Sequence, residues 1–164
     1  MNQVYCSALS CGYSGVDNQH WAPLATLVLD ASYEATLLAA LCCHLKTIRE
    51  IQQKRTATTS STDANITTST ENKNDQPGVH KVFLTFLGGG VFRNEAAWIA
   101  CAIGRALAIV THQCSTAMST SSPSTSEGVR LQVVICHFRR IDTVMCDMIE
   151  QVFDYELGKL QRSR

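Results

Sequence analysis

The sequence lacks several patterns that would assign its chemistry directly. None of its eight cysteines belongs to a Cys-x-x-Cys pair, so a zinc knuckle or a thioredoxin-type redox site has no support. Basic and acidic residues balance at 14 each, and no basic stripe is present that could neutralise a nucleic-acid backbone. We therefore expect no metal, no cofactor and no nucleic-acid partner.

The pattern of a secretory leader is also missing. Residues 1–4 supply neither a basic n-region nor an apolar h-region. Several cysteines fall inside apolar runs, where a free cysteine behaves as a small hydrophobic residue. These features predict reduced thiols in a cytoplasmic protein, with the nucleus as the alternative location.

The most informative stretch runs from Lys81 to Asn94. Residues 81–87 are rich in the β-branched and aromatic types of a strand, glycines occupy 88–90, and Asn94 followed by Glu95 is typical of a helix start. A strand, a glycine turn and a helix N-terminus together expose backbone N–H groups that can hold a phosphate. The Lys-Ser/Thr of a Walker A loop and the Gly-x-Gly-x-x-Gly spacing of a Rossmann fold are both missing. A tight connection in an α/β fold is the alternative interpretation.

The remaining pattern predicts strands that alternate with helices. Such an order implies a parallel sheet with right-handed crossovers, and hence a three-layer α/β/α fold. Three strands are few for this fold and leave two sheet edges unpaired, so the predicted fold is a truncated one. The predicted strands are 3–9, 82–87 and 131–138, and the predicted helices are 21–53, 95 to about 110, and one capped by Asp142.

The first half of the first helix is apolar on nearly all sides, which raises the question of a membrane span. Asp30, Glu34 and His44 lie within its most apolar stretch, and charged groups at a bilayer centre are costly. We therefore predict no membrane span. We expect one domain over residues 1–164, with a disordered Ser/Thr-rich insert at 54–78 and a flexible linker at 114–128.

Two stretches resemble the macro-domain family. Leu29–Ala40 is similar to the macro-domain helix that reads Leu…Tyr-x-x-Ser/Thr-Leu-x-x-Ala, and Val82–Asn94 is similar to the strand and phosphate-binding loop that follow it. Gly89-Gly90-Val91-Phe92 fits that loop, whereas Arg93 stands where the family often has a glycine. Val133–Phe138 resembles the terminal strand, and residues 3–9 resemble a preceding strand weakly. The resemblance covers only the second, C-terminal half of the family's fold.

The resemblance implies ADP-ribose, or an ADP-ribosylated protein, as the partner. If the chain is an enzyme, the resemblance implies an ADP-ribosyl hydrolase, although the sequence assigns no catalytic residue. Phe92 either lies against a ribose or fills the core, Arg93 either pairs with a phosphate or blocks the loop, and His137 is interpreted as structural. The implied ligand-binding residues are Gly88, Gly89, Gly90, Val91, Phe92, Arg93 and Asn94. The alternative function is a non-catalytic remnant or a protein-interaction module without a nucleotide ligand.

Overall fold

Three long helices and two short strands make up the part of the chain that the computed structural model describes, residues 2–58, 80–119 and 130–163. A single 3-10 turn, Cys11–Tyr13, precedes them. The strands are parallel neighbours in one sheet, with His80 opposite Leu131 and Thr85 opposite Cys136. The elements in chain order are α1 (Asn18–Thr58), β1 (His80–Thr85), α2 (Ala96–Ser119), β2 (Leu131–Cys136) and α3 (Thr143–Arg162).

The prediction of a three-layer α/β/α macro-domain-like fold is wrong. The described residues are mostly helical, and their only sheet has two strands. Residues 3–9 do not form the predicted third strand. Their backbone carbonyl groups accept hydrogen bonds from side chains, whereas in a sheet they would accept them from the backbone of a neighbouring strand. The Ser32 hydroxyl donates to Ser7 O at 3.4 Å, and Asn94 Nδ2 donates to Leu9 O at 2.8 Å. This segment therefore lies along α1 and the glycine loop without widening the sheet.

The helices predicted from the sequence all form, but two of them are longer than expected. Helix α1 continues to Thr58 and so includes the first residues of the insert predicted at 54–78, whose remainder lies outside the described residues. Helix α2 continues to Ser119 and includes residues 114–119 of the predicted linker, whose remainder is likewise outside. Helix α3 begins as predicted, since the Asp142 side chain accepts a hydrogen bond from Met145 N–H at 3.1 Å.

Helix α2 is the centre of the described core. It packs against both α1 and α3, and its first half contributes fully buried Ile99 and Ile103. The sheet lays only one of its faces on this core, through side chains such as Leu84 and Val133. On the opposite face Phe83 is 61% exposed, although parallel sheets are usually covered on both sides. The outer face of the sheet therefore exposes Phe83 beside the polar residues Lys81 and Thr85.

By length and composition alone, two segments could cross a membrane: Asn18–Lys54 of α1 and Ala96–Thr116 of α2. The core helix of a soluble protein meets the same criterion. Here the two helices pack against each other, and Asp30 of α1 forms an ion pair of 2.7 Å with Arg105 of α2. The absence of a membrane span stays a prediction.

A buried histidine makes the stability of this fold sensitive to pH. His44 is 5% exposed, its ring centroid lies 4.4 Å from that of His80, and its Nδ1 has no hydrogen-bond partner among the described residues. Burial, and secondarily the neighbouring His80, lower the pKa of His44 below the ordinary 6.5. As the pH falls below about 6.5, His44 of the unfolded chain binds a proton, whereas His44 of the folded chain stays neutral to a lower pH. We therefore expect the free energy of unfolding to fall as the pH drops through this window.

The measurement is urea unfolding at a series of pH values from about 8 to 5, the range in which histidines titrate. His44→Gln should flatten the pH dependence even if it lowers stability throughout, because the comparison is between slopes. The control is His20→Gln, which removes an exposed histidine at the start of α1. Equal slopes for the parent chain and His44→Gln would contradict the assignment.

Candidate functional site

The glycine stretch lies where the carboxyl ends of the two parallel strands meet. Residues 86–95 connect β1 to α2, and residues 137–142 connect β2 to α3. The ring of Phe86 contacts that of His137 edge-on, with 5.0 Å between centroids, so the two connections lie side by side. In α/β sheets this edge is where ligands bind, because the loops there are free to carry function.

A tyrosine from α1 fixes the start of the glycine loop. The Tyr33 hydroxyl donates a hydrogen bond to Thr85 O and accepts one from Leu87 N–H, both at 2.8 Å. Burial raises the pKa of Tyr33 to about 12, against the weaker opposing effect of Leu87 N–H. The hydroxyl therefore keeps its proton at ordinary pH and remains a donor. Sequence reasoning missed this role of Tyr33.

Gly88 and Asn94 close the loop. Gly88 has φ +73°, a left-handed conformation, and its carbonyl accepts from Asn94 N–H at 3.0 Å. Asn94 is 5% exposed and its Nδ2 donates to Leu9 O and, at 3.3 Å, to Gly88 O. Helix α2 begins at Ala96, so the prediction that Asn94 caps it is wrong. These two predicted ligand residues hold the shape of the loop.

The tip of the loop faces solvent. Gly89, Gly90 and Val91 are exposed, and the space where a Cβ of Gly90 would lie is free of other atoms within 4 Å. The N–H groups of Gly90, Val91 and Phe92 have no acceptor among the described residues. The Phe92 side chain turns inward, packing on the core and against Tyr13 at 6.2 Å between ring centroids. Three successive amide donors therefore lack a partner among the described residues, and two of them, Gly90 and Val91, belong to exposed residues.

Arg93 has a left-handed backbone. Its φ of 56° suits a glycine better than an arginine. The loop nevertheless keeps its hydrogen bonds: Arg93 N–H donates to Gly90 O and Gly12 N–H to Phe92 O, both at 3.0 Å. The Arg93 side chain is exposed and forms no ion pair within the described part of the chain.

A second cluster of reactive side chains lies beside the loop. His137 Nδ1 accepts a hydrogen bond from Asp142 N–H at 3.1 Å, and His137 Nε2 lies 3.6 Å from Cys146 Sγ. This pair lines a shallow groove of about 590 Å³ together with Arg139 and Arg140. No sequence pattern paired His137 with Cys146, and His137 was interpreted as structural. The available signal was that Cys146 falls in the first turn after the cap residue Asp142.

A second groove lies away from the glycine loop. It measures about 850 Å³ and lies between the helices near the start of β2, where Leu37, Leu107 and Leu131 are among its walls. The glycine loop lines neither groove. Within the described ranges, no group of three or more His, Cys, Asp or Glu side chains is placed to hold a metal ion.

No family model, curated protein or solved structure matches the chain.

Proposed function

We propose that residues 86–95 bind the diphosphate of ADP-ribose, free or attached to a protein. The observation that carries this proposal is the row of unpaired N–H groups at Gly90, Val91 and Phe92. Backbone N–H groups aimed at one exposed point form an anion-binding site without any side chain. Helix α2, 24 residues long, begins directly after the loop and adds the positive end of its dipole.

The loop is shaped before any ligand arrives. Tyr33, Gly88 and Asn94 fix its two ends by hydrogen bonds of 2.8–3.3 Å, so binding need not order the backbone. Ordering costs oppose association, and a pre-organised loop avoids them. The unpaired guanidinium of Arg93 adds positive charge nearby, which favours an anion over a neutral ligand.

The choice of ADP-ribose among phosphate compounds comes from the macro-domain resemblance of residues 29–40 and 82–94. In this structure the two stretches are neighbours, since Tyr33 of the first holds Thr85 and Leu87 of the second. The loop lines neither of the two grooves described above and its tip is exposed, so we expect a ligand to contact the described residues on one side. We expect a dissociation constant near 1 mM, about −4 kcal/mol of binding free energy.

The test is calorimetric titration of the chain with ADP-ribose, with AMP and NAD as controls. Gly90→Leu should abolish the heat of binding, because a side chain at this open position fills the space in front of the amide donors. Gly15→Leu is the matched control: Gly15 is also exposed, with no atom within 4 Å of an added Cβ, and lies outside the loop. Heat that persists in Gly90→Leu, or none in the parent chain at millimolar ligand, would sink the proposal.

The protein-interaction alternative is favoured by a different observation, the uncovered sheet face. Phe83 is 61% exposed there and pairs in register with Val134, so two apolar side chains face outward. Exposed apolar surface of this kind often marks a contact with another protein. An absence of ADP-ribose binding, together with concentration-dependent sedimentation, would favour this alternative.

A further inference from the structure

The pair formed by Cys146 and His137 has a defined direction of hydrogen bonding. Asp142 N–H points at Nδ1 of His137, so this nitrogen carries a lone pair. A neutral ring then holds its proton on Nε2, which faces Cys146 Sγ at 3.6 Å. The sulfur is therefore the acceptor in this contact. A thiolate accepts an N–H hydrogen bond more strongly than a thiol does, because the acceptor is charged.

The surroundings of the pair carry positive charge. Arg139 and Arg140 line the same groove and form no ion pair among the described residues. Cys146 N–H donates to Asp142 O at 3.2 Å, which places the cysteine in the first turn of α3, near its positive end. The acids of this turn are Asp142, whose side chain accepts from Met145 N–H, and Asp147 and Glu150; all three are exposed.

We propose that Cys146 is a reactive thiol that exchanges with small anionic disulfides, with His137 as its hydrogen-bond donor and the two arginines as the anion-attracting rim. The half-buried sulfur lies in an accessible groove, as nucleophilic cysteines do, next to a histidine and cationic groups. The proposal does not depend on ADP-ribose binding, because its residues lie after β2 and none belongs to the glycine loop.

The reaction is a thiol–disulfide exchange. Cys146 gives its proton to water and the thiolate attacks one sulfur of the disulfide; a new bond to Sγ forms as the old S–S bond breaks. The other half leaves as a thiolate and takes up a proton from water. Cys146 is thereby oxidised to a mixed disulfide, and the half that leaves is reduced to a thiol.

The test uses the full chain with glutathione disulfide, which is anionic, and cystamine, which is cationic. After short exposure and trapping of free thiols, peptide mass mapping gives the rate at each cysteine. Cys42 and Cys136 are the internal controls, because both are more exposed than Cys146. We expect Cys146 to form the glutathione adduct first, and to prefer glutathione disulfide over cystamine by about tenfold relative to Cys42.

Two variants separate the chemistry from a structural role. His137→Asn can retain an acceptor for Asp142 N–H while removing the donor to Sγ, and it should slow Cys146 by about tenfold with Cys42 unchanged. Replacing Arg139 and Arg140 together by glutamine should remove the preference for the anionic disulfide. If Cys42 or Cys136 reacts before Cys146, exposure alone controls reactivity and the proposal is overturned. A Cys146 rate unchanged in His137→Asn would overturn it equally.

Discussion

Gly104→Ala is expected to lower the free energy of unfolding by about 2 kcal/mol, although alanine favours a helix. Gly104 is buried on the face of α2 that packs against α3. An added Cβ would lie 2.7 Å from Ile149 O and 2.9 Å from Val152 Cβ. The carbonyl oxygen belongs to the α3 backbone, so the methyl group can be accommodated only by moving the two helices apart.

The matched control is the same substitution at the glycine within α3. An added Cβ at Gly158 would meet nothing closer than the flexible end of Arg162, at 3.7 Å. Gly158→Ala should therefore raise stability by about 0.5–1 kcal/mol, because alanine loses less backbone entropy in a helix. Urea unfolding followed by far-ultraviolet circular dichroism measures both. A gain of stability in Gly104→Ala like that expected for Gly158→Ala would show that α2 and α3 do not meet closely at Gly104.

Local signals in the sequence predicted the helices and two of the three proposed strands. Apolar residues that recur at intervals of three and four, among them Leu24, Leu27 and Leu38, predicted α1, and Asp142 predicted the start of α3, because these patterns are complete within a few residues. The buried face was not predicted: Leu24 and Leu27 are exposed, and Leu29 and Leu37 are fully buried instead. The close contact at Gly104 could not be predicted in the same way. It depends on which residue of α3 faces Gly104, and no local pattern specifies a partner 45 positions away, at Ile149.

The wrong fold class has one identifiable cause. Residues 3–9 have the composition of a strand, but composition does not provide a neighbouring strand edge, and side chains of Ser32 and Asn94 bind their carbonyls. Asn94 and Leu9 are 85 residues apart in the sequence, so their contact is visible only in the folded chain. With this segment counted as a third strand, the alternation of strands and helices predicted a three-layer α/β/α fold, whereas the described residues are mostly helical.

The position of the candidate loop was easier to predict than its internal structure. A strand, three glycines and a helix start are adjacent in the sequence, and β1 and α2 flank the loop as expected. The inward turn of Phe92 and the bridge made by Tyr33 depend on contacts with distant residues. The pairing of His137 with Cys146 depends on a short connection whose backbone includes Arg139 at a left-handed φ of 68°, which its residue types did not suggest.

Gly88→Ala is expected to cost about 3 kcal/mol of stability, the largest loss for one added methyl group in the glycine loop. The left-handed φ of +73° penalises any Cβ, and this Cβ would lie 2.5 Å from that of Ala8 and also contact the Asn94 amide. Gly90→Ala is the matched control two positions along the same loop. With open space and no left-handed φ, it should change stability by less than about 0.5 kcal/mol.

Arg93→Gly should raise the free energy of unfolding, whereas Gly88→Ala should lower it. At φ 56° a glycine avoids roughly 1–2 kcal/mol of left-handed strain but loses up to about 1 kcal/mol of unfolded-state entropy, so we expect a gain of about 0.5 kcal/mol. ADP-ribose binding should survive in this variant, because the proposed donors are the amides of Gly90, Val91 and Phe92. Denaturant unfolding and calorimetric titration on the same preparations measure both effects. Destabilisation by Arg93→Gly would mean that the Arg93 side chain stabilises the loop. A loss of ADP-ribose binding would mean that the guanidinium, and not the backbone, contacts the anion.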